Sequence, residues 1–437
     1  MKTGMSPKED AVSALVQFEK SSTSMKTLLR ELQTASADTP NSYSEANILP
    51  ISVIRRRNTI DYLLTRFLGT TKLHDLDAWE RNKLRLLLYE TKWLDQDLDE
   101  LLPSYPEMST NSLSIIRQAR AVDLNTFFDK LPTVNKLSLK YSHPTFIVRT
   151  MLDNLSHDQT IQLLKANNQN RTYYLRVNQL LCEDSSVLDT LEHVTLKEDN
   201  DIQGVFRVVE GIENIVKSKS FHDGLILIQD KASMLTVETL NPCSGEVIWD
   251  SCGAPGMKTQ RILEKLKGTG KVIATDVYQE RVRIAVERSH QLGAESIEWV
   301  HADAAKPVIS RADKILIDAP CTSTGILQAY PSFKWRINKT TLFSLMTVQN
   351  KILEGVLTRY SNRPGTEIVF STCSILPHEG ESQIDSVLSK YNVELLDPIG
   401  VGDKGYPDFE CSDQVTRLFP HKHSTSGFFI AHLRIKQ

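Results

Sequence analysis

From about residue 220 onward, short β-rich runs alternate with helical stretches, and this alternation restricts the fold more than any other feature of the chain. The runs are GLILI, EVIWD, KVIAT, IEWV, KILID and EIVF; between them lie RILEKL, QERVRIAVERSHQL and TLFSLMTVQNKILEGVLTRY. Strands separated by helices imply βαβ units and a parallel sheet. A final run, GFFIAHLRI, closes the chain. Residues 223–437 therefore read as a doubly wound α/β catalytic domain.

At 437 residues the chain exceeds one typical domain, so two or three compact units are expected. Residues 1–130 read as helical. In WERNKLRLLLYETKWL, Leu84, Leu87, Leu88 and Trp93 recur at helical spacing, while Arg81, Lys83, Arg85 and Lys92 read as a solvated face. Arg55, Arg56 and Arg57 open a second helix, NTIDYLLTRFL. Ser, Thr, Pro and Asn dominate residues 34–44, which read as a linker. Residues 131–222 mix strand-like TYYLRVN and GVFRVVEG with helical HDQTIQLLKANN, which suggests a small α/β subdomain.

Composition excludes little. Hydrophobic residues are 40% and charged residues 24% of the chain, as in an ordinary globular enzyme. The formal net charge of -3 carries no global mark of nucleic-acid binding, although a local basic track would suffice for it. No long apolar run or signal-like start is present, so neither a membrane span nor a membrane partner is expected. Cys182, Cys243, Cys252, Cys321, Cys373 and Cys411 are scattered without a CxxC pair. That spacing disfavours a metal site or a disulfide framework and fits a reducing, cytoplasmic compartment.

VIWDSCGAPGMKT is a strand, a tight loop and a helix start. In an open α/β sheet, ligands bind at the carboxyl ends of the strands. Here Cys252, Gly253, Ala254, Pro255, Gly256, Met257 and Lys258 form the candidate cofactor loop. Asp276 ends the next strand, where a carboxylate suits ribose hydroxyls, and Asp303 follows the third, where it suits an adenine edge. This set accommodates an adenosyl ligand, either NAD or S-adenosylmethionine; each Asp alone is equally at home as a helix N-cap.

Two cysteines end strands on the same edge. KILID runs into Asp318, Ala319, Pro320 and Cys321, and EIVF into Ser371, Thr372 and Cys373. A cysteine is more often a small buried hydrophobe than a nucleophile, but two at strand ends, one close to an Asp, favour chemistry.

From Leu137 to the C-terminus the chain resembles the Nop2/Sun family of RNA cytosine-C5 methyltransferases, in its RsmB-type branch. The motifs, in order, are LSLKYSHP, LRVN, GLILIQDKASML, DSCGAPGMKT, ATD, HADAAKP, IDAPCTSTGILQAYPSFKW, FSTCSILPHEGESQI and RLFPHKHSTSGFFIAHL. The resemblance implies a Rossmann-like S-adenosylmethionine-dependent domain that needs no metal, behind an all-α NusB-like RNA-binding domain. It implies that Cys373 attacks carbon 6 of cytosine, that Asp318 stabilises the adduct at N3, and that Cys321 assists product release. Asp318 also borders the cofactor, and Lys258 positions the cofactor or the pyrimidine. Lys334, with Phe333 and Trp335, either lines the RNA cleft or belongs to a core. The implied partner is RNA, ribosomal before transfer RNA, bound by a monomer.

The chain departs from the family pattern at Met257, where a glycine is usual, at His378 and Gly380 after the nucleophile, and at Ser426, where an Asp precedes GFF. Two competing readings remain, a nicotinamide oxidoreductase and a non-catalytic RNA-binding factor. Pro255 and the paired DAPC and STCS motifs argue against the oxidoreductase.

Overall fold

The computed structural model describes residues 6–21, 23–35, 45–182 and 184–437. The expected linker 34–44 lies outside them except for its first two residues, which end the helix Met25–Ala35. Two compact units form: Met1–Gln169 with Leu327–Ile337, and Asn170–Ile326 with Asn338–Gln437. The division thus falls at 169/170 rather than at 130 and 222, because the helices Thr133–Lys140, Thr145–Asn154 and His157–Ala166 pack with the first unit.

The first unit is helical among its described residues. Its central helix, Ala78–Trp93, starts where the Asp77 carboxylate accepts the backbone N–H groups of Trp79 and Glu80. Leu84, Leu86, Leu87 and Leu88 are all fully buried, so apolar contact surrounds this helix rather than striping it. The expected solvated face is therefore largely absent. Arg85 is buried and donates to Asp61 at 2.6 and 2.9 Å, and Lys92 donates to the carbonyls of Arg120 and Val122 at 2.8 and 2.6 Å. A helix needed on every side has no face left for solvent, so its charges find internal partners.

Residues 327–337 complete this unit. Lys334 is fully buried and its Nζ donates to Ser142 O at 3.0 Å, Asn168 Oδ1 at 2.6 Å and Arg55 O at 3.3 Å. Trp335 Nε1 donates to Ile54 O at 2.7 Å. Of the two readings for this trio, the core one holds for Lys334, while Phe333 and Trp335 are half-buried.

In the second unit, β1 (Tyr173–Val177), β2 (Thr195–Glu198), β3 (Val205–Glu210) and β4 (Ile226–Ile228) form an antiparallel sheet ordered β2-β3-β1-β4. The run GLILI, expected among the catalytic strands, supplies β4 to this small sheet instead, because it pairs with β1. A short apolar run does not reveal its pairing partner.

The larger sheet comprises β5 (Val247–Asp250), β6 (Lys271–Asp276), β7 (Glu298–His301), β8 (Lys314–Asp318), β9 (Glu367–Thr372), β10 (Val393–Leu395), β11 (Val415–Leu418) and β12 (Phe428–Ile435). Its order is β10-β12-β9-β8-β5-β6-β7, with β11 paired to β12. Strands β5 to β9 run parallel, while β12 is antiparallel to β9. Strands β5, β8 and β9 are buried along nearly their whole length, as a sheet covered on both faces requires. The chain winds outward from β5 through β6 to β7, then returns to β8 on the other side of β5. The crevice at the carboxyl ends of β5 and β8 is the topological switch point, where such sheets hold ligands.

Candidate active site

Three loops leave the carboxyl edge beside that crevice. After β5, the chain turns through residues 251–256 into the helix Met257–Lys265. Gly256 sits in the left-handed region, with φ at 100°, where glycine carries no steric cost. A Cβ on Gly253 would meet Thr259 Oγ1 at 3.1 Å and Ala274 and Asp250 at 3.2 Å, so the loop is close-packed. Cys252 lies in it with its thiol pushed up to about 12 by burial, which leaves it inert as a nucleophile.

Asp250, at the end of β5, was not among the residues singled out from sequence. It is buried; Oδ2 accepts Thr259 Oγ1 at 2.7 Å, and Oδ1 has no hydrogen-bond partner among the described residues. Burial raises its carboxyl to about 7. Its position as the last strand residue before the glycine loop was the available signal.

Asp276 is buried at the end of β6, with Arg281 Nη1 at 3.0 Å from Oδ2 and the Tyr278 N–H on Oδ1. Arg281 also donates to Ala254 O, tying the β6 loop to the cofactor loop. Asp303, after β7, is exposed, and its Oδ1 accepts the Ala305 N–H at 2.9 Å. Met257 lines a groove of about 400 Å³ with Phe221, Ile284 and Arg288.

The reactive groups meet after β8 and β9. Lys258 Nζ lies 2.8 Å from Asp318 Oδ2, and Ser371 Oγ donates to Asp318 Oδ1 at 2.9 Å. Burial would lower the Lys258 ammonium, but the Asp318 carboxylate outweighs it and holds the group above its ordinary value. Cys321 Sγ and Cys373 Sγ stand 3.3 Å apart, and Cys373 Sγ is 3.6 Å from Ser323 Oγ. The hydrogen bond between the two thiols lowers Cys373, with help from Ser323 and Lys258 against burial and the Asp318 charge. The same bond and burial push Cys321 up. The two thiols are thus pushed in opposite directions, Cys373 toward ionisation and Cys321 away from it.

Close backbone contacts fix these loops. Gly325 N donates to Cys373 O at 2.9 Å, and a Cβ on Gly325 would lie 1.9 Å from Gly427 O. Two departures from the family pattern also find physical reasons. A side chain at Gly380 would strike the buried Arg417 guanidinium and the Phe429 ring at 2.6 to 2.7 Å. Ser426 Oγ donates to Asp230 Oδ2 at 2.6 Å, where an Asp would set two carboxylates face to face.

The chain is similar to known RNA methyltransferases in sequence and fold. A family model described as 16S rRNA methyltransferase RsmB/F matches residues 237–434. The chain is 24% identical to a probable ribosomal RNA small subunit methyltransferase B of Bacillus subtilis, over 99% of each chain. It is 28% identical to a human 28S rRNA (cytosine-C5)-methyltransferase, over 68% of this chain and 38% of the human one. A solved methyltransferase homologue from Pyrococcus horikoshii superposes with a TM-score of 0.61 at 27% identity, covering 70% of this chain and all of the other. Fold and site thus define an S-adenosylmethionine-dependent methyltransferase. The chain resembles the RsmB/F ribosomal RNA methyltransferases, by a family model over residues 237–434 and by relatives at 24% and 28% identity.

S-adenosylmethionine fits the residues present. The unpartnered Asp250 Oδ1 suits its ammonium group, and the left-handed Gly256 lets the loop approach it closely. Asp276 stands where its ribose is expected.

Proposed function

We propose that this enzyme methylates carbon 5 of a cytosine in small-subunit ribosomal RNA, with Cys373 as nucleophile. The observation that carries the chemistry is the pair of thiols 3.3 Å apart beside the Asp318–Lys258 pair. S-adenosylmethionine supplies an electrophilic methyl group when bound. Carbon 5 of cytosine is too weak a nucleophile to take it unaided. Cys373 adds as thiolate to carbon 6, which moves the ring's electron density onto carbon 5. Asp318 holds N3 and shares the proton gained there, while Lys258 fixes the Asp318 carboxyl group. After methylation, water takes the proton on carbon 5, and the C–H electron pair re-forms the double bond between carbons 5 and 6. The bond between sulfur and carbon 6 breaks with its pair returning to Cys373, and N3 gives its proton back to the Asp318 side. Cys321, the neighbouring protonated thiol, serves that release. The target base must leave its stack to reach these groups.

For the substrate, the support is the end-to-end match to the Bacillus subtilis relative, including the helical front unit. We read that unit as a NusB-like RNA-binding domain. Bisulfite sequencing of RNA from cells with and without the gene tests the assignment. One cytosine of small-subunit ribosomal RNA is expected to lose its protection in the deletion strain. Unchanged ribosomal RNA with a newly converted transfer-RNA cytosine would overturn it.

A further inference from the structure

We propose that Glu379 is a positioning residue that sets the two cysteines against each other by holding the neighbour of each. The inference rests on the reading above that Cys373 and Cys321 divide attack and release. Glu379 is fully buried, in the turn Pro377–Glu379 beyond the nucleophile. Its Oε1 accepts the Thr322 N–H at 2.8 Å, and its Oε2 accepts the Thr322 hydroxyl. Its backbone carbonyl accepts Thr372 Oγ1 at 3.0 Å. Thr322 follows Cys321 and Thr372 precedes Cys373, so one residue grips both loops next to their sulfurs.

Gln349 extends the clamp. Its Nε2 donates to Glu379 Oε1 at 3.0 Å and to Pro320 O at 2.8 Å, on the other side of Cys321. Among the described residues, every group that hydrogen-bonds the carboxylate is a donor, as its two acceptor oxygens require. A buried negative charge acts on whatever lies near it. The Cys321 thiol is held up first by its bond to Cys373 and by burial, and the Glu379 charge pushes the same way. The clamp therefore sets distance and also keeps Cys321 as the donor of the pair.

Iodoacetamide labelling of the full-length protein across alkaline pH, read at each cysteine by mass spectrometry, tests this. In Glu379→Gln the amide brings an N–H donor among three donors and removes the charge. Cys321 should then ionise at lower pH and Cys373 at higher pH, narrowing the gap between their titrations by roughly one unit. Methylation kcat should fall about 10-fold while KM for RNA holds. Thr322→Val keeps the charge and removes one donor, and should narrow the gap less. Wild-type titrations of both thiols in folded Glu379→Gln would overturn the proposal. If that variant does not fold, wild-type titrations in Thr322→Val would do so. Labelling needs no methyl transfer, so failure of the two-cysteine mechanism would register separately, as an absent RNA adduct.

Discussion

Lys258 and Lys334, one in each unit, are lysines of the recognised motifs, Lys334 fully buried and Lys258 largely so, yet their surroundings separate them. Among the described residues Lys334 donates to two carbonyls and an amide oxygen, and burial with nearby Arg55 and Arg56 pushes its ammonium well below the ordinary range. Lys258 meets the Asp318 carboxylate, which holds its charge in place, and it faces Cys373 through the same cluster. Burial alone does not make a lysine functional. In the mechanism proposed above, it is the charge partner beside a reacting group that gives Lys258 its role, whereas neutral acceptors make Lys334 a structural tie.

The largest effect that sharpens this contrast is expected on the Asp318 side. Asp318→Asn should lower methylation kcat by roughly 10²- to 10⁴-fold, the range for a lost acid–base group, with the fold intact by circular dichroism. Lys258→Met should cost about 10-fold. It should also move Cys373 labelling to higher pH, because the Lys258 charge is one of the groups that lower that thiol. Lys334→Met should leave kcat unchanged and lower stability by roughly 1–3 kcal/mol, since its acceptors lose their donor. The pH dependence has a fixed sign. The folded ammonium titrates below its ordinary value of 10.5, so the folded state holds fewer protons than the unfolded one in between. Wild-type stability relative to Lys334→Met should therefore rise as pH climbs from the depressed value toward 10.5. A kcat loss in Lys334→Met with full stability would break the comparison.

Much of the site was legible in the sequence because its residues sit at strand ends. A strand followed by Asp318-Ala319-Pro320-Cys321, and another by Cys373, must deliver both to one edge of a parallel sheet, whatever the side-chain detail. The contacts of Glu379 were not legible. They join residues 57 apart at Thr322 and 30 apart at Gln349, and no local pattern encodes them. Asp250 was passed over because a strand-final Asp and a cofactor ligand look alike until the unpartnered oxygen is seen. Among the fold expectations, GLILI and residues 327–337 were the hardest. Each is short, and tertiary packing rather than local periodicity selects the sheet or core it joins.

The central claim, that Cys373 attacks the base and Cys321 frees it, is tested most directly with Cys321→Ala. The variant is incubated with S-adenosylmethionine and a small-subunit ribosomal RNA fragment, run on a denaturing gel, and the crosslinked peptide is sequenced. The account predicts an RNA adduct that survives denaturation, is attached at Cys373, and is absent from the variant that also carries Cys373→Ala. No adduct, or one attached through another residue, would contradict it.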